Sequence, residues 1–193
     1  MPRKSLSEIV KTILIFGLTS LVCGAAKNHL ILNFFNDDVK NIATFASYTT
    51  MLISLLVSCI VLGLIALVCI LMFDAIKFSE IFTGSIELNE FSKSYQNFIY
   101  VLMSGEFIKV FLVVFYLSKE LPDIDIDTTF QSQLYNTDWF FYNSVSELFI
   151  LFLANIVFII SFRDITKGYR VFGIFLLSLT IGVTTYISNT SWF

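Results

Sequence analysis

Apolar residues run through this chain in long blocks broken by short clusters of charge, and a block of about 20 is what one helix needs to cross the hydrocarbon core of a bilayer. Thr12 to Ala26 carries no charge, and a helix can continue past Lys27 through Leu30, Ile31 and Leu32 with the lysine snorkelling. No charged residue occurs between Lys40 and Asp74, and Met51 to Phe73 is the most apolar part of that stretch. Phe98 to Leu117 is a third block, interrupted by Glu106 and Lys109. Val145 to Phe162 and Val171 to Ser188 are two more, joined by the basic turn Arg163 to Arg170. The pattern predicts an all-α, polytopic membrane bundle of five transmembrane helices at residues 12–34, 48–73, 96–117, 144–162 and 170–188, with four spans as the alternative count.

Composition agrees. Apolar residues make up 56% of the 193 positions and charged ones 14%, against about 45–50% apolar in soluble domains. Proline occurs only at Pro2 and Pro122, which leaves long helices uninterrupted. These proportions exclude a disordered chain, a collagen, a disulfide scaffold and a nucleic-acid module. Cys23, Cys59 and Cys69 all lie in apolar blocks and read as small buried hydrophobes.

The charges give the blocks a direction. With a cytoplasmic N-terminus, the inner segments hold Arg3, Lys4, Lys11, Lys77, Lys93, Arg163, Lys167 and Arg170, whereas the outer ones hold only Lys27, Lys40 and Lys119. The loop 118–143 is acidic and falls outside, flanked by the aromatic anchors Tyr116, Trp139, Phe140, Phe141 and Tyr142. The first block is expected to stay as a span: its leading segment is long for a signal peptide and contains Glu8. A single membrane domain over 1–193 is expected, in a bacterial inner membrane, with a cytoplasmic connector at 74–95.

Few residues suggest chemistry. Glu106 and Lys109 stand three apart in the third block, a spacing that pairs them on one helix face and makes them a candidate intramembrane polar site. Ser104-Gly105 just before them is a candidate helix break around a polar pocket. The candidate polar site also takes in Glu147, near the outer end of the fourth block, with an interfacial position as its alternative reading, and Asn155, deeper in it, as a hydrogen bonder between helices. Ser20 with Gly24, Cys59 with Gly63 and Ser178 with Gly182 are small pairs four apart that permit close helix contact. In the connector, Phe78, Phe82, Leu88 and Phe91 recur at near-helical spacing; with Arg163, Lys167 and Arg170 they form a candidate surface for docking a cytoplasmic protein.

His29 is the only histidine, so histidine-based zinc sites cannot be built, and no GxSxG, P-loop or GxGxxG motif occurs. The aspartates Asp123, Asp125 and Asp127 lack the glycine and glutamate of a calcium loop, which fall at Thr128 and Leu134. No catalytic residue, metal ligand or cofactor is expected.

The layout resembles the Yip family of five-span membrane proteins. The likeness lies in the two opening spans, the segment Phe78 to Phe98 leading into the interrupted stretch up to Lys109, and the stretch Ser144 to Asn155 before a tight turn and a last span. It implies a non-enzymatic scaffold, although the long cytosolic N-terminal region of the eukaryotic members is missing. Size and architecture also resemble the membrane subunits of Kiwa-type antiphage systems, which implies a membrane sensor paired with a cytoplasmic effector. The expected function is accordingly a membrane platform that oligomerises and recruits a cytoplasmic partner, with lipid as its solvent and no direct nucleic-acid binding. The alternatives are a defence sensor, a pore or transporter subunit that uses Glu106 and Lys109 as polar lining, and a toxin-immunity protein.

Overall fold

The computed structural model describes residues 2–33, 37–77, 88–120 and 136–161. Among them the chain is helical throughout, without a strand. Four helices carry the fold: α1 (Pro2–Leu32), α2 (Asp37–Lys77), α3 (Leu88–Leu112) and α4 (Asp138–Ser161). The third continues through a π-helical turn, Val113–Leu117, into Ser118–Glu120. Each contains a stretch long and apolar enough to cross a membrane: Leu6–Leu32, Lys40–Val68, Phe91–Glu120 and Asp138–Ser161. The expected fifth span 170–188, the turn Arg163 to Arg170, and Phe78 and Phe82 lie outside the described residues.

The helices alternate in direction, and α3 is the centre. It packs along α1 on one side and α4 on the other. At the end holding the start of α3, Phe91 stacks on Tyr95 at 5.7 Å and Tyr95 on Phe98 at 5.9 Å, while Phe158 of α4 meets Phe91 and Phe98 edge-on. Ile9 and Phe16 of α1 and Leu62 and Ala66 of α2 close this aromatic core. At the opposite end Leu112, Val113, Leu117 and Trp139 form a second cluster, against Leu30 and Ile31 of α1. The π turn explains how Leu112 and Leu117 are both buried there. In a regular helix residues five apart point about 140° away from each other, and a wider turn brings them to one face. Aromatic rings gather at this end, including Tyr116 against Tyr142 at 4.7 Å.

By contrast, α2 is peripheral. Only 11% of its most apolar stretch is buried, and Leu52, Ile53, Leu56, Ile60 and Leu64 are all exposed. An exposed band of this kind suits lipid, not water. α2 is held by close approach to α1: a Cβ on Gly17 would come within 3.2 Å of Cys59 Sγ, and one on Gly24 within 2.7 Å of Met51 Sδ. Gly63, expected to pair with Cys59 in such a contact, has open space around it. A hydrogen bond from the Tyr95 hydroxyl to the Leu62 carbonyl, 2.6 Å, ties α2 to α3.

Two expectations change. The connector 74–95 already becomes α3 at Leu88, because Phe91, Tyr95 and Phe98 continue one helical face into the span. Phe91 is 0% exposed, so it is a core residue, not a docking side chain. Ser104-Gly105 does not break α3: the helix runs through it, with the Ser104 hydroxyl donating to the Val101 carbonyl at 2.7 Å. Gly105 instead lets α4 approach, since a Cβ there would lie 2.8 Å from Ile150 Cγ2.

Candidate intramembrane site

Glu106 falls at the midpoint of the span Phe91–Glu120, where a lone charge would cost several kcal/mol. It is not alone. Glu106 Oε2 lies 3.4 Å from Lys27 Nζ on α1, and Glu106 Oε1 lies 3.3 Å from Lys109 Nζ one turn later on α3. Lys109 Nζ also reaches Glu147 Oε1 on α4, at 2.9 Å. The result is a chain of alternating sign, Lys27–Glu106–Lys109–Glu147, that joins three helices and sums to zero.

The expected Glu106–Lys109 pair is therefore present, in a wider setting. Lys27 does not snorkel away from the bundle but turns to Glu106, and Glu147 is drawn to Lys109. The register of α3 against α4, set where Gly105 meets Ile150, brings the last pair together. Asn155 stands apart. It lies eight residues, or about 12 Å, further along α4 than Glu147, and its buried amide donates to the Leu151 carbonyl of its own helix at 2.8 Å. It is thus not a bond between helices. The exposed His29 and the buried Cys23 occupy different faces of α1. Leu88 begins α3, while Arg163, Lys167 and Arg170 lie outside the described residues.

Beside the charges is a partly open cavity of about 680 Å³ between α1 and α2, whose walls include Lys27, Glu106 and Lys109. The α2 wall presents Ser47, Thr50, Ser54 and Ser58, spaced three or four apart and so on one helix face. The α1 wall presents Ser20 and Asn28. Below it, Phe16 and the Tyr95–Leu62 contact belong to the aromatic core.

Among the described residues, those hydroxyls make no bond to the carbonyls of their own helices. A serine or threonine in an apolar helix ordinarily bonds a carbonyl one turn back. Thr12, Thr19 and Ser161 do so, to Glu8, Ile15 and Val157 at 2.8, 3.0 and 2.8 Å. Among the described residues no such bond is present for Ser20, Ser47, Thr50, Ser54 or Ser58. The cavity therefore offers unpaired hydroxyls beside two ammonium groups and a carboxylate, the equipment to hold a polar solute. Among the described residues no group of three or more His, Cys, Asp or Glu is placed to hold a metal ion.

Sequence reasoning includes Glu147 in the polar site without its partner, and misses the role of Lys27 and the hydroxyl face of α2. A signal for each exists: one unmatched charge per helix, and four hydroxyls at helical spacing in the stretch that is otherwise the most apolar. No family model, curated protein or solved structure matches this chain.

Proposed function

We propose that this chain is a five-span inner-membrane protein with a cytoplasmic N-terminus that admits a polar solute to the cavity between α1 and α2, as a pore or transporter subunit without catalytic chemistry of its own. The observation that supports this reading is the joining of the cavity to the Lys27–Glu106–Lys109–Glu147 chain. A charge cluster that served only to fasten helices needs no open volume beside it. Here a volume large enough for a small molecule opens onto it instead. The bias of basic residues supports the orientation, which sets the cavity in the outer half of the bilayer.

The platform reading rests on the connector and on the turn Arg163 to Arg170, and the burial of Phe91 removes one of its side chains from the proposed surface. Solute flux separates the two. Purified protein in liposomes is expected to admit small polar solutes, and Thr50→Leu with Ser54→Leu, which fills the groove without touching a charge, should reduce flux at least fivefold. Full flux in that variant, or none in the wild type, overturns the transport reading. A soluble protein that co-purifies in mild detergent, together with absent flux, favours the platform.

A further inference from the structure

We infer that the cavity is selective for a small monovalent anion, held by the Lys27 ammonium, the Asn28 amide and the hydroxyls of α2. The inference rests on the solute-binding reading above and names the class of solute. Three of the four charges of the ionic chain face the cavity, Lys27, Lys109 and Glu106, whereas Glu147 is not part of its wall. Its lining side chains alone carry two ammonium groups and one carboxylate, and Glu147 behind Lys109 makes the cluster neutral, so the preference for one sign rests on which groups have donors to spare.

The pairing within the chain sharpens the sign. Each oxygen of Glu106 already faces a lysine, so its negative charge is neutralised twice. Lys109 is shared between two carboxylates. Among the described residues Lys27 has a single carboxylate partner, and at 3.4 Å that contact is long, which leaves donors of its ammonium directed elsewhere. Next to it, Asn28 Nδ2 has only Met51 Sδ as a partner among the described residues, at 3.8 Å, and a thioether is a weak acceptor. The hydroxyls of Ser47, Thr50 and Ser54 rotate to suit a guest and add neutral donors from the opposite wall. A cation would find one carboxylate, already held by two lysines. An anion finds an ammonium with one long carboxylate contact, an amide that donates to a weak thioether acceptor, and several hydroxyls, contacts that the apolar surroundings strengthen.

The test uses chloride as the probe on the full chain in a non-ionic detergent, with binding read from the broadening of the chloride NMR line. Saturable broadening is expected. Lys27→Gln should weaken it at least tenfold, Lys27→Arg should retain it within about threefold, and Lys93→Gln, at an exposed lysine away from the cavity, should leave it unchanged. Asn28→Leu, which keeps every charge of the network, should weaken it severalfold and serves if Lys27→Gln fails to fold. Competition by acetate and by phosphate distinguishes a carboxylate from an inorganic anion as the preferred guest. Broadening that does not saturate, or that is indifferent to both Lys27→Gln and Asn28→Leu, overturns the inference. If liposomes then pass cations or neutral solutes by a route that Thr50→Leu with Ser54→Leu blocks, the transport reading survives without the anion. If chloride binds as expected and no solute crosses, the anion site stands and the transport reading falls.

Discussion

Lys109 of α3 and Glu147 of α4 meet at 2.9 Å, the shortest ion pair in the described bundle, and Lys109 is at the same time the partner of Glu106. One ammonium thus fastens two helices and neutralises a carboxylate in the middle of a span. Removing it leaves two carboxylates with one remaining lysine.

Lys109→Met is accordingly expected to be the most damaging single change in the network, costing about 3–5 kcal/mol as an uncompensated buried charge. Glu147→Gln should cost about 1 kcal/mol or less, because Glu147 is 33% exposed and solvent or headgroups screen it. Unfolding in mixed detergent micelles, followed by circular dichroism, measures both. Equal losses would mean that the pairing is incidental.

The contact of Gly105 with Ile150 sets the register that the ion pair needs. Gly105→Ala places a methyl group where Ile150 Cγ2 and Cδ1 now lie, 2.8 and 2.9 Å away, so α3 and α4 must part or the isoleucine must change rotamer. A loss of about 1–3 kcal/mol is expected from this overpacking. Gly105→Ala combined with Ile150→Val should recover part of it, and the same unfolding assay reads the difference.

The antiparallel seating of α2 on α1 gives a covalent test. A side chain at Gly17 would begin 3.2 Å from Cys59 Sγ. In a background with Cys23→Ser and Cys69→Ser, Gly17→Cys should therefore form an intramolecular disulfide with native Cys59 under mild oxidation, seen as a mobility shift reversed by reductant. Gly63→Cys paired with Cys59 should not, since the two share one helix. The Gly17 variant fails to cross-link if α1 and α2 do not run side by side.

Trp139 is buried with Leu112, Val113 and Leu117, yet its indole Nε1 has no hydrogen-bond partner among the described residues. Burying an unpaired donor costs about 1–3 kcal/mol, so the ring is retained for its bulk. Trp139→Phe should change stability by less than about 1 kcal/mol, whereas Trp139→Ala should lose about 3–5 kcal/mol. A large loss for phenylalanine would show that the N–H has a role.

Much of this architecture is legible from the order of residues. Apolar blocks identify the four described spans because lipid tolerates only helices whose backbone groups are satisfied within themselves. Their ends are less legible: Phe91 and Tyr95 are separated by polar residues, and only packing against Phe158 shows that they belong to the span. The Glu106–Lys109 pair follows from spacing along one helix. Lys27 and Glu147 do not, since their partners come from other helices and depend on the register of packed neighbours. Asn155 errs in the other direction, because a buried amide has a local carbonyl within reach as well as a distant one. The hydroxyls of α2 were hidden by averaging: in a stretch this apolar they hardly lower the hydropathy, although they share one face.

If this face borders a polar, water-accessible cavity, a thiol placed on it reacts with water-soluble reagents. In a cysteine-free background, Ser54→Cys and Leu56→Cys place a thiol on the cavity wall and on the exposed apolar face of α2, respectively. With protein in liposomes, a charged, membrane-impermeant methanethiosulfonate is predicted to modify Ser54→Cys at least tenfold faster than Leu56→Cys. Equal rates, or an inert Ser54→Cys, would mean that the hydroxyl face of α2 lies against lipid or packed protein and borders no water-filled cavity.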